Sequence, residues 1–201
     1  MDIKTISYKS SNCYLVPTDD GWLLVDSGYP DTLSQFLQQL HQNNVLLNEI
    51  NYLVITHFHP GHAGLTQNLK DFGLRLLLHT SQVPSVNKIN TFFKKNRDAR
   101  FKDITPDNTI ILSTEESRDF LKEIGIKGEL LPTAVHSDDS ISFVIDGCCA
   151  FIGDLPELSL SDSSSDQAAK DSWDAILSYE VKMIYPTHND PYPTPALPAL
   201  E

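Results

Sequence analysis

Hydrophobic positions fall along this chain in short runs separated by polar and turn-forming residues, and two spacings alternate. Runs at residues 53–55, 74–78, 141–145, 148–152 and 182–185, with further short runs up to Val25, are rich in Leu, Val, Ile and Phe and read as strands. Between them, Leu33, Phe36, Leu37 and Leu40 recur at helical spacing, which predicts a helix over residues 31–40 with Asp31 as its cap. The same spacing predicts helices over residues 63–71, ended near Gly73, over residues 83–95 and over residues 167–179. Ser113 and Glu116 form a capping box, so a helix runs from there to Ile124, where Gly125 ends it. Asp146-Gly147, set between two apolar runs, is the strongest hairpin signal in the chain. Residues 158–165 read as a polar loop, and the proline-rich tail from Pro191 as surface chain unsuited to helix or inner strand. The pattern predicts an α/β fold.

Composition narrows this further. The chain has 201 residues, 40% of them hydrophobic and 21% charged, and shows no internal repeat, which fits one domain over residues 1–201 with a sizeable core. No apolar run is long enough for a membrane span, and the opening Met-Asp-Ile-Lys-Thr lacks the features of a signal peptide, so the expected location is cytoplasmic. Fifteen Lys and Arg against 27 Asp and Glu give a formal charge of −12, which argues against a nucleic-acid partner. The densest basic stretch, residues 94–102, reads as a solvated helix end and loop. Three cysteines, Cys13, Cys148 and Cys149, have neither a disulfide framework nor Cys-x-x-Cys spacing, and read as buried strand residues.

The chemistry concentrates at Thr56-His57-Phe58-His59-Pro60-Gly61-His62, which places three of seven histidines within six residues, directly after an apolar strand. Imidazoles this close at a strand end converge on a point instead of alternating across a sheet, as metal ligation requires. One turn cannot complete a metal shell. Three further candidates, His136, Asp154 and His188, each lie just past an apolar run, where strand ends of a layered α/β domain gather on one rim. Asp26 and Thr56 are candidates to orient the imidazoles.

These residues carry a resemblance to the metallo-β-lactamase superfamily, in particular its glyoxalase II-like metal-dependent hydrolases. The family's motif of closely spaced histidines, a later His, a Gly-Asp and a final His matches His57, His59, His62, His136, Gly153-Asp154 and His188 in order. Residues 12–16 and 22–28 resemble its opening strands and Asp-x-Gly turn. The resemblance implies a four-layer αββα sandwich of two mostly antiparallel sheets. It also implies one metal on His57, His59 and His136 and a second on His62 and His188 with Asp154 shared. Zinc is the expected ion, one or two per chain, with iron or manganese as alternatives.

Two positions depart from the family pattern. Gly61 stands where relatives carry the Asp between the second and third histidines, so the second site loses a ligand, and Val135 replaces the usual Gly before His136. The implied activity is hydrolysis of a small acyl compound, an ester, thioester or lactone, through a metal-bound hydroxide, with Asp154 in the catalytic centre. A sulfur dioxygenase holding one iron on His57, His136 and Asp154 is the rival, since two histidines and a carboxylate suit ferrous iron. A non-catalytic member that keeps the fold is the third reading. The partner expected is a small-molecule substrate; nucleic acid and membrane are not expected, and the sequence leaves oligomeric state open. Phe92, Phe93 and Phe101 read either as a pocket wall or as core.

Overall fold

A computed structural model describes residues 1–96, 100–157 and 167–194. Its strands are β1 (Lys4–Tyr8), β2 (Ser11–Thr18), β3 (Gly21–Val25), β4 (Ile50–Val54), β5 (Arg75–His79), β6 (Thr109–Leu112), β7 (Gly128–Pro132), β8 (Ile141–Ile145), β9 (Cys149–Gly153), β10 (Met183–Pro186) and β11 (Tyr192–Pro193). Its helices are α1 (Leu33–Gln42), α2 (Pro60–Ala63), α3 (Thr66–Asp71), α4 (Val83–Lys95), α5 (Thr114–Glu123) and α6 (Gln167–Leu177). Strands β1 to β6 form a six-stranded sheet in sequence order, and β11-β10-β9-β8-β7 form a five-stranded one.

Alternation along the strands assigns each side chain to a layer. On the first sheet Cys13, Leu15, Leu24, Leu53, Leu76 and Leu78 face outward into a cluster completed by Phe36 and Leu40 of α1, Leu69 of α3 and Ile89 and Phe93 of α4. Their neighbours Tyr14, Val16, Leu23, Val25, Val54 and Leu77 point the other way, against Phe143, Ile145, Cys149 and Phe151 of the second sheet. The outer face of that sheet, including Val144, Ala150 and Ile152, packs under Trp173 and Ile176 of α6. Three apolar clusters between four layers are the αββα sandwich, and strands buried on both faces explain why the sequence shows continuous apolar runs there.

Several sequence expectations shift in register. The first sheet is mixed: β1-β2 and β2-β3 pair antiparallel, whereas β3-β4, β4-β5 and β5-β6 are parallel. The parallel half follows from crossovers carried by α1, by α2 with α3, and by α4, which can only return the chain in the same direction. Asp31 does not cap α1. It adopts φ 62°, and the cap position falls to Thr32, whose hydroxyl donates to the Tyr29 carbonyl instead. The helix expected over residues 63–71 is two pieces, because the Gly64 N–H donates to Gly28 O at 2.7 Å and the chain there presses on the backbone of Tyr29 and Pro30. A Cβ on Gly64 would lie 2.2 Å from Pro30 N, so this junction admits only glycine.

The Ser113–Glu116 capping box forms as read, with Ser113 N–H donating to Glu116 Oε2 at 2.8 Å and Glu116 N–H to Ser113 Oγ at 3.2 Å. The hairpin turns at Asp146-Gly147, with Gly147 at φ 62°. Cys148 belongs to that turn and is only half-buried, while Cys13 and Cys149 are buried strand residues. The sequence reading assigns no strand to residues 109–112, whose short Ile110-Ile111-Leu112 run forms β6, and β11 is a two-residue edge strand within the proline-rich tail. Phe93 and Phe101 stack at 4.1 Å in the core, whereas Phe92 stands half-exposed beside the site. Residues 97–99 of the basic stretch, the polar loop and the tail beyond residue 194 lie outside the described residues. Among the described residues no helix is long and apolar enough to cross a membrane.

Candidate metal centre

Strand direction explains why residues far apart in sequence share one rim. Parallel β3 and β4 end together, delivering Asp26 and the Thr56–His62 turn, and parallel β9 and β10 end together, delivering Asp154 and His188. Strand β7 runs antiparallel to β8, which runs antiparallel to β9, so β7 points the same way as β9 and its exit loop carries His136 to the same edge. Ile141 N–H donates to Thr56 O at 2.8 Å and locks the two sheets at this point.

All six residues singled out by the sequence meet there. Asp154 Oδ2 lies 3.7 Å from His57 Nε2, 3.3 Å from His62 Nε2 and 3.5 Å from His136 Nε2, and its Oδ1 is 3.4 Å from His188 Nε2. His136 Nε2 is 3.2 Å from His59 Nδ1. Two overlapping sets have ligand atoms close enough for one ion, His57-His59-His136 and His57-His62-Asp154, and His57 belongs to both. His188 reaches the cluster through Asp154 and through an edge-on contact with the His62 ring, centroids 5.3 Å apart.

Asp26 is the anchor of this arrangement. It is buried, held at φ 60°, and accepts from Thr56 N–H at 2.8 Å, Thr56 Oγ1 at 2.9 Å, Thr187 Oγ1 at 3.1 Å and His62 Nδ1–H at 2.8 Å. The last contact fixes the His62 ring so that Nε2 faces Asp154, the usual device for orienting a ligand imidazole. Gly153 has φ 57°, and a Cβ there would stand 2.7 Å from Thr56 Oγ1, so a glycine before Asp154 is what lets that loop close over Thr56.

Three holding contacts were not evident in the sequence. Asp139 is buried, accepts Phe58 N–H at 2.8 Å and Ser137 Oγ at 2.9 Å, and so ties the histidine turn to the His136 loop. Gln82 braces the same junction, donating to Ile55 O at 2.8 Å and Asp139 O at 3.1 Å. Ser10 O accepts His188 Nδ1–H at 2.5 Å, which turns Nε2 toward Asp154. None of these carries a motif, because a carbonyl or a lone Asp in a loop is recruited by tertiary contact alone.

Electrostatics divides the histidines. Burial pushes His57 down to about 3, with His62 adding to the effect. Burial works in the same direction on His62, but Asp26 and Asp154 outweigh it and raise this imidazole to about 10. Burial alone would raise Asp154, yet His62 and then His57 hold its carboxyl at about 2. Without metal the rim therefore holds a neutral His57 and an imidazolium at His62 between two carboxylates.

A pH signature follows for metal-stripped protein. Between about 3 and 6.5 the unfolded chain binds more protons than the folded one, at His57 and also at His59 and His79, whose imidazoles burial likewise lowers, so stability rises with pH. Between 6.5 and about 10 the folded state holds the extra proton, at His62, so stability falls. One proton on the falling limb corresponds to a slope on the order of 1.4 kcal/mol per pH unit, and the rising limb is at least as steep. Urea midpoints measured in chelator from pH 5 to 9 should peak near the ordinary imidazole range; a flat profile would contradict this protonation pattern.

The buried atoms show that the centre suits a cation. His57 Nε2 and Asp154 Oδ1 are buried without any hydrogen-bond partner, and both face the shared interior of the cluster. Orphaned buried polar atoms are costly unless something satisfies them, and one imidazole nitrogen with one carboxylate oxygen is a donor set for a divalent ion.

Residues 8–188 match the family model of the metallo-beta-lactamase superfamily, and the chain belongs to that family. No curated protein matches the sequence. Among solved structures, a Cronobacter sakazakii metallo-beta-lactamase carrying a mutated HARLDQ motif is similar with a TM-score of 0.69 at 15% identity, over 92% of this chain and 77% of that one. A metallo-beta-lactamase family protein from Thermus thermophilus gives 0.66 at 18% identity, over 95% and 74%. The protein TTHA1623, solved in a di-iron-bound form, gives 0.67 at 20% identity, over 96% and 94%. At these identities the likeness establishes the fold, and one of these similar proteins has been solved with two irons while others are named lactamases.

Proposed function

We propose that the protein is a metal-dependent hydrolase of a small acyl compound, an ester, thioester or lactone. The observation that carries this reading is the pair of orphaned buried atoms, His57 Nε2 and Asp154 Oδ1, at the meeting point of five histidines. His57, His59 and His136 would hold one ion; His62, His188 and Asp154 would hold a second, with zinc the expected metal. A divalent cation there supplies Lewis acidity, polarising an acyl carbonyl and acidifying water.

The chain's own residues do the rest. Asp26 and Ser10 fix the rings of His62 and His188, and Asp139 holds the backbone between His57 and His59. A cleft of about 550 Å³ opens beside His59, walled by Phe58, Pro60, Ile89 and Phe92, so the acyl part meets an apolar surface. Gly61 contributes no carboxylate, leaving Asp154 as the acid residue within reach of both halves of the cluster. Small substrate, cytoplasmic location and independence from nucleic acid and membrane belong to the same reading.

A second reading is one iron on two histidines and a carboxylate, a set suited to oxygen chemistry: His57 Nε2 and His62 Nε2 stand 3.7 and 3.3 Å from one Asp154 oxygen and have ligand atoms close enough for one ion, and His136 Nε2 lies 3.5 Å from that oxygen. Metal analysis of protein purified without added metal separates the two. Two zinc ions, one lost in His188→Ala, with turnover of acyl esters, would support hydrolysis. One iron, lost in His57→Ala but kept in His188→Ala, with thiol-dependent oxygen uptake, would replace it.

A further inference from the structure

The β1–β2 hairpin reaches the metal rim with three successive residues at its turn. Ser10 O accepts His188 Nδ1–H, Ser11 Oγ donates to Gly61 O at 3.1 Å, and Asn12 N–H donates to Thr187 O at 2.8 Å. One turn thus grips both the histidine turn and the last loop of the centre. Its hold on His188 matters most, because that side chain is 39% exposed whereas His57 and His62 are enclosed by their surroundings.

Tyr29 braces this turn. Its hydroxyl lies 3.1 Å from Ser10 Oγ, and the Lys9 ammonium sits over its ring, with Nζ 5.4 Å from the centroid. Gly61 is what lets the ring stand there. A Cβ at 61 would lie 3.2 Å from Tyr29 Cζ and 3.3 Å from Tyr29 Oη, inside the separation at which non-bonded atoms pack well, so even alanine would push the phenol aside by a few tenths of an ångström. The atoms displaced include the hydroxyl that meets Ser10.

We propose that Tyr29 and Gly61 form one positioning device for His188: glycine leaves room for the phenol, the phenol fixes Ser10, and the Ser10 carbonyl holds the imidazole in its Nδ1–H form with Nε2 free toward Asp154. The proton on an imidazole is placed by the partner of one nitrogen, and only the other nitrogen can then take a metal. The position that lacks a carboxylate is thereby tied to the orientation of a histidine on another loop. This rests on the two-ion reading of the centre and names what maintains its second half, on His62, His188 and Asp154.

Two readouts test the device, one of them without metal. In metal-free protein at about pH 8.5, where ordinary imidazoles are neutral, nitrogen-15 spectra should show His188 of the wild type as the Nδ1–H tautomer. Tyr29→Phe, Ser10→Ala and Gly61→Ala should each move it toward the Nε2–H form that an unconstrained imidazole favours. In zinc titrations the same variants should bind the second ion roughly fivefold more weakly, the worth of one hydrogen bond, and leave the first ion unchanged. Tyr29→Phe combined with Ser10→Ala should lose no more than either alone, since both remove the same contact. A wild-type tautomer and wild-type second-ion affinity in Tyr29→Phe, or losses that multiply in the double variant, would overturn the device. If the wild type takes up a single zinc, the two-ion reading fails, and the tautomer comparison by itself upholds or overturns the role of Tyr29.

Discussion

Asp26→Ala should lower the stability of the metal-free protein by about 3–5 kcal/mol, the usual cost of stripping one partner from a buried charged pair. The carboxylate is enclosed and accepts from Thr56, His62 and Thr187, so its removal leaves several buried donors without a partner and the His62 imidazolium with Asp154 alone. Alanine would also have to keep φ 60°, a region that an aspartate tolerates better. For a chain of this size the melting temperature should fall by roughly 10 °C. Asp26→Asn, which keeps shape but not charge, should be milder in stability yet still weaken metal binding about 10–100-fold, because the His62 ring loses the acceptor that orients it. Thermal unfolding and metal titration measure the two effects separately. A variant with an unchanged melting temperature and unchanged metal affinity would show that Asp26 is not the anchor of the rim.

Asp154→Asn should have the largest effect on chemistry. Among the described residues this carboxylate alone lies within 3.7 Å of His57, His62, His136 and His188 together, so the neutral amide removes the charge shared by both halves of the cluster. Turnover of an acyl ester should drop on the order of 10²–10³-fold, as when a preorganised electrostatic contact is lost at a reacting centre. Metal content should fall with it, and in stripped protein the imidazolium at His62, held partly by Asp154, should release its proton at lower pH. Wild-type turnover and metal content in Asp154→Asn would remove this residue from the catalytic centre.

The sequence made the donors legible and left their supports hidden. His57, His59 and His62 announce themselves because a strand end compresses them into one turn, and His136, Asp154 and His188 because each follows an apolar run. Asp26 and Thr56 could be proposed as orienting groups, and the distances bear that geometry out. Asp139, Gln82, Thr187 and the Ser10 carbonyl could not, since each works through a backbone or loop contact that exists only once the sheets are packed. The same limit applies to architecture. Long buried strands and the Ser113 cap have local signatures, whereas β6 and β11 are short edge strands defined by their neighbours, and the split between α2 and α3 depends on where Gly64 meets residues 28–30. Asp31 misled because a left-handed aspartate and a capping one look alike in one dimension.

The closure of the rim joins opposite ends of the chain: Asn12 N–H donates to Thr187 O, Thr187 Oγ1 to Asp26, and His188 to Ser10. Contacts this distant in sequence form against the entropy of closing a loop that contains nearly the whole domain. Synthesis from the N-terminus therefore produces the histidine turn long before the strand that completes its surroundings, and a growing chain carries three exposed imidazoles with no enclosed cavity around them. On the metal-dependent reading, selectivity for one ion would then be a property of the finished fold rather than of the motif, and an ion met by a ribosome-bound intermediate would not be the one the mature protein keeps.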